Sequence, residues 1–438
     1  MYLVYSIVLT IGFILLLPKF LVDAILKGKY AAGFCERLGF VPNFDSRGKP
    51  VVWIHCVSVG EANAARQLAQ RIKRDFADHS IVISTTTRTG QQLARTAFGE
   101  IADLVFYFPF DWRFAVRRTL SRIKPSVVLL METEIWMNFI RETHNNGTHL
   151  AIVNGRLSER SFKRFTYIKG FMRRVLANLD LAVMQEKADA DRLIFLGTPA
   201  NKVKVSGNLK FDHDLADSEM ELTEQLRHRF APSQATPLII AASTHSPEEK
   251  WMIEAFKNLR GSFPENGPRL MIAPRHPERF AEVLALIEGS GLTWVKRSAP
   301  PSERDAAAEV ILLDSIGELR SAYPLAEIVF VGGSLIPHGG QSIFEPASAG
   351  KAIVTGPHTA NFDAAVKEFL NKEAMIHLPS IEESETVKVL TQTFSDLLDN
   401  TAKRDLLGRN ALATMNNNRG AVVRTVEYLS PLFEAPSK

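Results

Sequence analysis

Glu61 stands where a carboxylate could act as a general base. It ends the segment Val57-Ser58-Val59-Gly60-Glu61, between the apolar run 51–56 and an amphipathic stretch that continues to residue 76. The first turn of a helix keeps a carboxylate ionised through the helix dipole, and a neighbouring hydroxyl would be its substrate. The same position also favours glutamate in helices that do no chemistry. A second acidic group, Glu132-Thr133-Glu134-Ile135-Trp136, follows the apolar run 127–131. Paired carboxylates there could hold a metal, act as acid and base, or cap a helix, and their spacing does not choose. Lys210 lies in Ser206-Gly207-Asn208-Leu209-Lys210-Phe211-Asp212, after the short strand 203–205. Its ammonium would counter a phosphate or carboxylate that gains charge during a reaction.

The second half of the chain carries signals for anion and nucleotide binding. The run 327–331 leads into Gly332-Gly333-Ser334-Leu335-Ile336-Pro337-His338-Gly339-Gly340-Gln341-Ser342-Ile343-Phe344-Glu345, with a helix expected from about Ser342. Two glycine pairs permit positive φ and close backbone approach, and a helix start offers unpaired N–H groups to phosphate. The spacing matches neither a Walker loop nor a dinucleotide fingerprint. Glu345 would accept hydrogen bonds from ribose hydroxyls. Arg275, in Ala273-Pro274-Arg275-His276, can clamp phosphate bidentately. Gly317, in Asp314-Ser315-Ile316-Gly317-Glu318-Leu319, would bring backbone close to a base or ribose. Ser243-Thr244-His245 and Thr355-Gly356-Pro357-His358 end two further apolar runs. Asp189-Ala190-Asp191 and Asp212-His213-Asp214 each match a D-x-D pattern, but neither follows a strand as metal-dependent sugar-nucleotide chemistry needs. No metal site is expected.

These residues are spaced by elements of two kinds. Apolar runs at 51–56, 81–84, 104–107, 127–131, 150–153 and 181–184 alternate with amphipathic stretches. A second series runs through 238–242, 270–273, 310–313, 328–331 and 352–355. Apolar runs separated by helices predict parallel sheets buried on both faces. At 438 residues with 46% hydrophobic content, two domains are expected. The polar segment 212–236 carries no strand signal and reads as the connection between them. Ligands in doubly wound folds bind at the carboxyl ends of the strands, which is where the candidate residues fall.

Lys+Arg (52) nearly balances Asp+Glu (48), which argues against a general nucleic-acid binder. Two cysteines, Cys35 and Cys56, are too few for a disulfide scaffold and read as the reduced thiols of a cytosolic protein. Residues 2–17 contain no charge, and Lys19, Lys27, Lys29 and Arg37 follow. A secretory signal has the reverse order, so an uncleaved membrane anchor is expected, spanning or monotopic, with the rest of the chain cytoplasmic. The stretch after Asn154-Gly155-Arg156-Leu157-Ser158 interleaves Arg160, Lys163, Arg164, Lys169, Arg173 and Arg174 with Phe162, Phe165, Tyr167, Phe171 and Met172. It reads either as a surface for an anionic amphiphile or membrane, or as a solvated helix face.

The motifs quoted, in this order over nearly the whole chain, resemble those of the Kdo transferases (3-deoxy-D-manno-octulosonic acid transferases, glycosyltransferase family 30). The resemblance implies a GT-B fold of two Rossmann-like domains. It divides the chain into an anchor (1–30), an acceptor domain (31–211), a linker (212–236), a CMP domain (237–412) and a C-terminal helix (413–438). It also implies inverting transfer of Kdo from CMP-Kdo to a lipid A precursor, lipid IV-A, at the cytoplasmic face of the inner membrane, with no separate cofactor. Glu61 would be the base, and Glu132 and Lys210 would stabilise the transition state. Pro274, Arg275, Gly317, Glu318, Leu319, Ser342, Ile343, Phe344 and Glu345 would contact CMP. One departure stands out. The family usually has Gly-Gly-His-Asn where this chain has Gly339-Gly340-Gln341-Ser342. The competing readings are a sugar-nucleotide 2-epimerase of the same architecture and a membrane-anchored nucleotide-sugar binder without catalysis.

Overall fold

A strand that is apolar at every position must be covered on both faces, and alternating helices supply the cover. The computed structural model describes residues 1–27, 33–57, 59–212, 217–230, 236–263, 267–380 and 382–434. Ser58, His213, Asp214 and Lys29 lie outside these. The chain forms two compact units, one of Met1–Asp212 with Asn418–Lys438 and one of His213–Asn417.

In the first unit the strands are β1 (Val51–Cys56), β2 (Ser80–Thr85), β3 (Leu104–Tyr107), β4 (Val127–Met131), β5 (His149–Gly155), β6 (Leu181–Met184) and β7 (Val203–Val205). They form one parallel sheet in the order β3-β2-β1-β4-β5-β6-β7. The order reverses between β1 and β4, the switch point at which doubly wound folds place ligands. β1, β2, β4 and β5 are buried at every position.

The second unit has β8 (Leu238–Thr244), β9 (Arg269–Pro274), β10 (Trp294–Lys296), β11 (Val310–Leu312), β12 (Ile328–Val331), β13 (Ala352–Thr355) and β14 (Ile376–His377). Their order is β10-β11-β9-β8-β12-β13-β14, again parallel, with the switch between β8 and β12. Val331 pairs with Ala242 on one side and Thr355 on the other, so the glycine-rich loop leaves the sheet between two neighbouring strand ends.

Several expected segments differ in the structure. Much of the expected linker is helix Asp217–Phe230, which belongs to the second unit. Leu226 and Phe230 on it are buried, and Thr223 Oγ1 donates to the Ser321 carbonyl at 3.0 Å. The chain's last part is two helices, Thr401–Asn418 and Ala421–Glu434, and the second belongs to the first unit. There Val422, Val426, Leu429 and Phe433 join the core formed by Leu68 and Ile72.

The basic-aromatic stretch does not present its aromatics as a surface. It folds as helices Glu159–Thr166 and Lys169–Leu176, whose period turns Phe171 and Met172 inward and packs Phe162 and Phe165 against the core. Tyr167 alone of the five projects, at 89% exposure.

The N-terminal apolar run is helix Tyr2–Lys27, docked on the first unit along one face. Tyr2 meets Phe171 edge-on at 5.0 Å, and Phe13 meets Trp112 at 4.9 Å. Tyr5 Oη donates to Asp111 Oδ2 at 2.7 Å, and Asn138 Nδ2 donates to Ser6 Oγ at 3.0 Å. The other face leaves Leu3, Val4, Ile7, Val8, Ile11, Ile14 and Leu15 exposed. Among the described residues no helix is long and apolar enough to cross a membrane.

Candidate active site

Glu61 occupies the first turn of helix Val59–Asp75, directly after β1. It is 6% exposed, and its Oε2 accepts the Val57 amide at 2.7 Å. Glu132 follows β4 with φ 54°, a left-handed conformation that a non-glycine residue adopts only where its surroundings impose it. Its Oε1 lies 3.1 Å from Lys210 Nζ, with both side chains about 29% exposed. Cys56, buried at the end of β1, links the acidic groups. Burial, then the charges of Glu61 and Glu132, push its thiol well above the usual range. Glu61, Glu132 and Lys210 are thus brought together at the ends of β1 and β4 and in the turn after β7. Burial and the charge of Glu132 also raise the pKa of Glu134.

The Lys210 turn is held from two sides. Asn154, buried at φ 54° in β5, accepts the Leu209 amide on Oδ1 at 3.0 Å, while Gln185 Nε2 donates to the Asn154 carbonyl at 2.9 Å. From the returning C-terminal helix, Arg424 Nε donates to the Ser206 carbonyl at 2.8 Å and Thr425 Oγ1 to Ser206 Oγ at 2.9 Å. Gly207 sits at φ 96°, so a side chain there would be strained.

In the second unit the glycine-rich loop departs from expectation. The amides of Gly333, Ser334 and Leu335, next to the first glycine pair, donate to Glu248 at 2.7, 3.0 and 3.0 Å, and the His245 amide joins them at 3.0 Å. Burial raises the pKa of Glu248, opposed by these four donors. The Gly340 amide likewise turns inward, to the Gly333 carbonyl at 2.8 Å. The helix expected from Ser342 is the short Phe344–Ser348, shortened by Gly350 just beyond it. Ser342 Oγ donates to Glu345 Oε2 and receives the Phe344 amide at 3.4 Å.

The other candidates fall at neighbouring strand ends. Pro274 closes β9, and the exposed Arg275 is anchored by its amide to the Thr244 carbonyl at 3.0 Å. Tyr323 brings Arg275 and Glu345 into one neighbourhood: its phenol is raised far above the usual range by burial and by the charge of Glu345, and lowered by Arg275. Gly317 has φ 87° with open space where a Cβ would stand. Glu318 is engaged by Arg297 through a bidentate pair at 2.7 and 3.0 Å, and Leu319 begins helix Leu319–Ala322. Ile343 and Phe344 are buried, so only their backbone can meet a ligand.

Of the D-x-D residues, Asp189 and Asp212 are engaged within the protein. Asp189 accepts the Leu157 amide at 3.1 Å and pairs with Arg192 at 3.2 Å. Asp212 accepts the Gly420 amide at 2.6 Å. Among the described residues no group of three or more His, Cys, Asp or Glu side chains could hold a metal ion.

Residues 32–213 match the family described as 3-deoxy-D-manno-octulosonic-acid transferase (kdotransferase). A 3-deoxy-D-manno-octulosonic acid transferase of Haemophilus influenzae is 32% identical over 408 residues, covering 93% of this chain and 92% of that protein. The chain belongs to the Kdo transferase family. Another member, from Bordetella pertussis, is 32% identical over 386 residues and covers 86% of each chain. Among solved structures, UDP-GlcNAc 2-epimerase from Neisseria meningitidis covers 87% of this chain and 100% of its own, with TM-score 0.55 and 14% identity. That likeness shows the fold alone, a GT-B-like pair of parallel sheets. As a Kdo transferase family member the chain is a glycosyltransferase.

Sequence reasoning missed two residues of these strand-end clusters and the surroundings of a third. Glu248 reads as an ordinary glutamate in a first helical turn, and nothing local announces partners 85 to 87 residues away. Tyr323 is hidden in an apolar stretch. His245 was visible in Ser243-Thr244-His245, but its surroundings were not. Its ring meets His338 at 4.4 Å and His276 at 5.4 Å, and burial, then their charges, lower its pKa to about 4.

Proposed function

We propose that this enzyme transfers Kdo from CMP-Kdo to a hydroxyl of a lipid A precursor, lipid IV-A, with inversion at the anomeric carbon. The observation that carries the reading is the convergence of Glu61 with the Glu132–Lys210 pair at the ends of β1 and β4, in a chain of this family. Glu61 takes the proton of the acceptor hydroxyl as its oxygen bonds to the anomeric carbon. The bond from that carbon to the phosphate oxygen breaks, and its electron pair leaves with CMP. Glu132 meets positive charge developing on the sugar ring, and Lys210 meets negative charge on the sugar carboxylate or departing phosphate. In the second unit Arg275, Pro274, the backbone from Gly317 to Leu319 and residues 342–345 hold CMP. Arg275 and polar side chains meet the phosphate charge, and no metal or other cofactor is needed.

Incubation with CMP-Kdo and a tetra-acylated lipid A precursor, followed by mass spectrometry of the lipid, tests this. One or more Kdo increments are expected; an unmodified lipid with active, folded protein would overturn it.

The exposed aliphatic face of helix Tyr2–Lys27 supports a monotopic place at the cytoplasmic face of the inner membrane, where the acceptor's acyl chains lie. A helix with one face bonded to protein and the other aliphatic suits the interface rather than a span. Flotation with anionic vesicles should carry the wild type and lose Ile7→Glu/Ile11→Glu. Equal flotation of both would remove this helix from the membrane contact.

A further inference from the structure

Glu248 opens helix Glu248–Ser262 and is fully buried, yet its charge is met by backbone amides rather than by a cation. The adjacent Glu249 shows the usual alternative: equally buried, it is paired with Arg279 at 2.5 and 3.2 Å. Burying a carboxylate costs several kcal/mol unless good hydrogen bonds replace its water, on the order found for buried ions generally. Glu248 receives four. One, from His245, is local and would suit an ordinary helix start. The other three come from consecutive residues of the glycine-rich loop. Successive amides turned to one point form the concave nest that elsewhere binds phosphate. Here the protein supplies the anion itself.

The loop's sequence fits that internal anion. A Cβ on Gly332 would lie 2.9 Å from Glu248 Oε2 and 2.7 Å from the Ser243 carbonyl, so the carboxylate helps to exclude any side chain there. Beyond the nest the restraint spreads. Ser334 Oγ accepts the Gly356 amide at 2.8 Å, and the Ser334 carbonyl accepts the His358 amide at 2.9 Å. The Gly333 carbonyl fixes Gly340, directly before Gln341 and Ser342. A single carboxylate thus ties the end of β8 to the loops after β12 and β13.

We propose that Glu248 is a positioning residue for donor binding: its carboxylate takes the place of an external anion in the amide nest and thereby fixes the loop that carries the donor-contacting residues 342–345. The identity of the donor rests on the function proposed above; the occupancy of the nest does not.

The test is replacement and refilling of the carboxylate in the full chain. Glu248→Ala leaves three loop amides without an acceptor, and formate is small enough to replace the lost group. The apparent KM for CMP-Kdo should rise about tenfold or more, as expected for buried donors left unpaired, with a much smaller change in kcat. Added formate should lower that KM and raise the melting temperature of Glu248→Ala, while leaving wild type unchanged. Glu248→Gln keeps the volume but sets an NH2 against N–H donors, and should show the same KM effect without formate rescue. An unchanged KM in folded Glu248→Gln, or formate acting equally on Glu248→Ala and wild type, would overturn the proposal. If wild type does not use CMP-Kdo, the proposed donor falls. The formate-dependent melting temperature, read without donor, still decides whether the nest takes an anion.

Discussion

The two units share a parallel topology and a switch point, yet they spend buried carboxylates differently. At the ends of β1 and β4, Glu132 keeps partial exposure and pairs with a lysine. At the end of β8, Glu248 is wholly buried and committed to four amides. Asp111 is the first unit's nearest equivalent to Glu248. It is 2% exposed and accepts the Asn138 and Phe139 amides and the Tyr5 hydroxyl, without a cation. Glu132 on one side and Glu248 and Asp111 on the other thus differ in their partners, not in carboxylate chemistry or in nearness to a strand end.

The sharpest way to break this comparison is Glu61→Gln. If Glu61 removes the acceptor proton, turnover should fall by roughly 10² or more with CMP binding nearly intact; near wild-type turnover would group Glu61 with Glu248 and Asp111. Lys210→Met and Glu132→Gln should each lower kcat by about 10². The double variant should lose less than the two losses combined, because the partners act as a unit. Additive losses in the cycle would show that the 3.1 Å pair plays no joint part.

Arg275→Ala should weaken CMP binding by about 1.5–3 kcal/mol, the range for a charge-assisted hydrogen bond, as read by calorimetry. Transfer should survive EDTA; its loss, restored by magnesium, would show that protein cations do not suffice for the phosphate.

The smallest effect concerns Asp111. Burial raises its carboxyl to about 6, against an unfolded value near 3.8. The folded chain then holds the proton more tightly, so this group's stabilising contribution is full below about pH 4 and is lost as pH rises through 6. Urea midpoints should therefore show a downward component between those values that Asp111→Asn flattens. An identical pH dependence in both proteins would mean that folding leaves the proton affinity of Asp111 unchanged.

Much of this was legible in the residues. The strands with uninterrupted apolar runs could be read because burial on both faces leaves no room for polar alternation. β10 and β14 could not, since stretches of three and two residues carry no pattern. Glu61, Glu132 and Lys210 were visible as charges beside strand ends. The fate of the loop amides was not, because Glu248 acts across a long stretch of sequence. The docked face of the N-terminal helix was not read either, because the partners of Tyr5 and Ser6 lie 106 and 132 residues away.

The return of helix Ala421–Glu434 to the first unit has a consequence for biosynthesis. Val422, Val426, Leu429 and Phe433 complete a core whose other residues were translated far earlier, and Asp212 clasps the Gly420 amide where the chain re-enters. Each apolar side chain buried there is worth about 1.5–3 kcal/mol. The first unit must therefore wait on the ribosome, with part of its core uncovered, until the whole second unit has been made. A premature stop codon anywhere before residue 417 would cost the first unit its final layer as well as truncating the second.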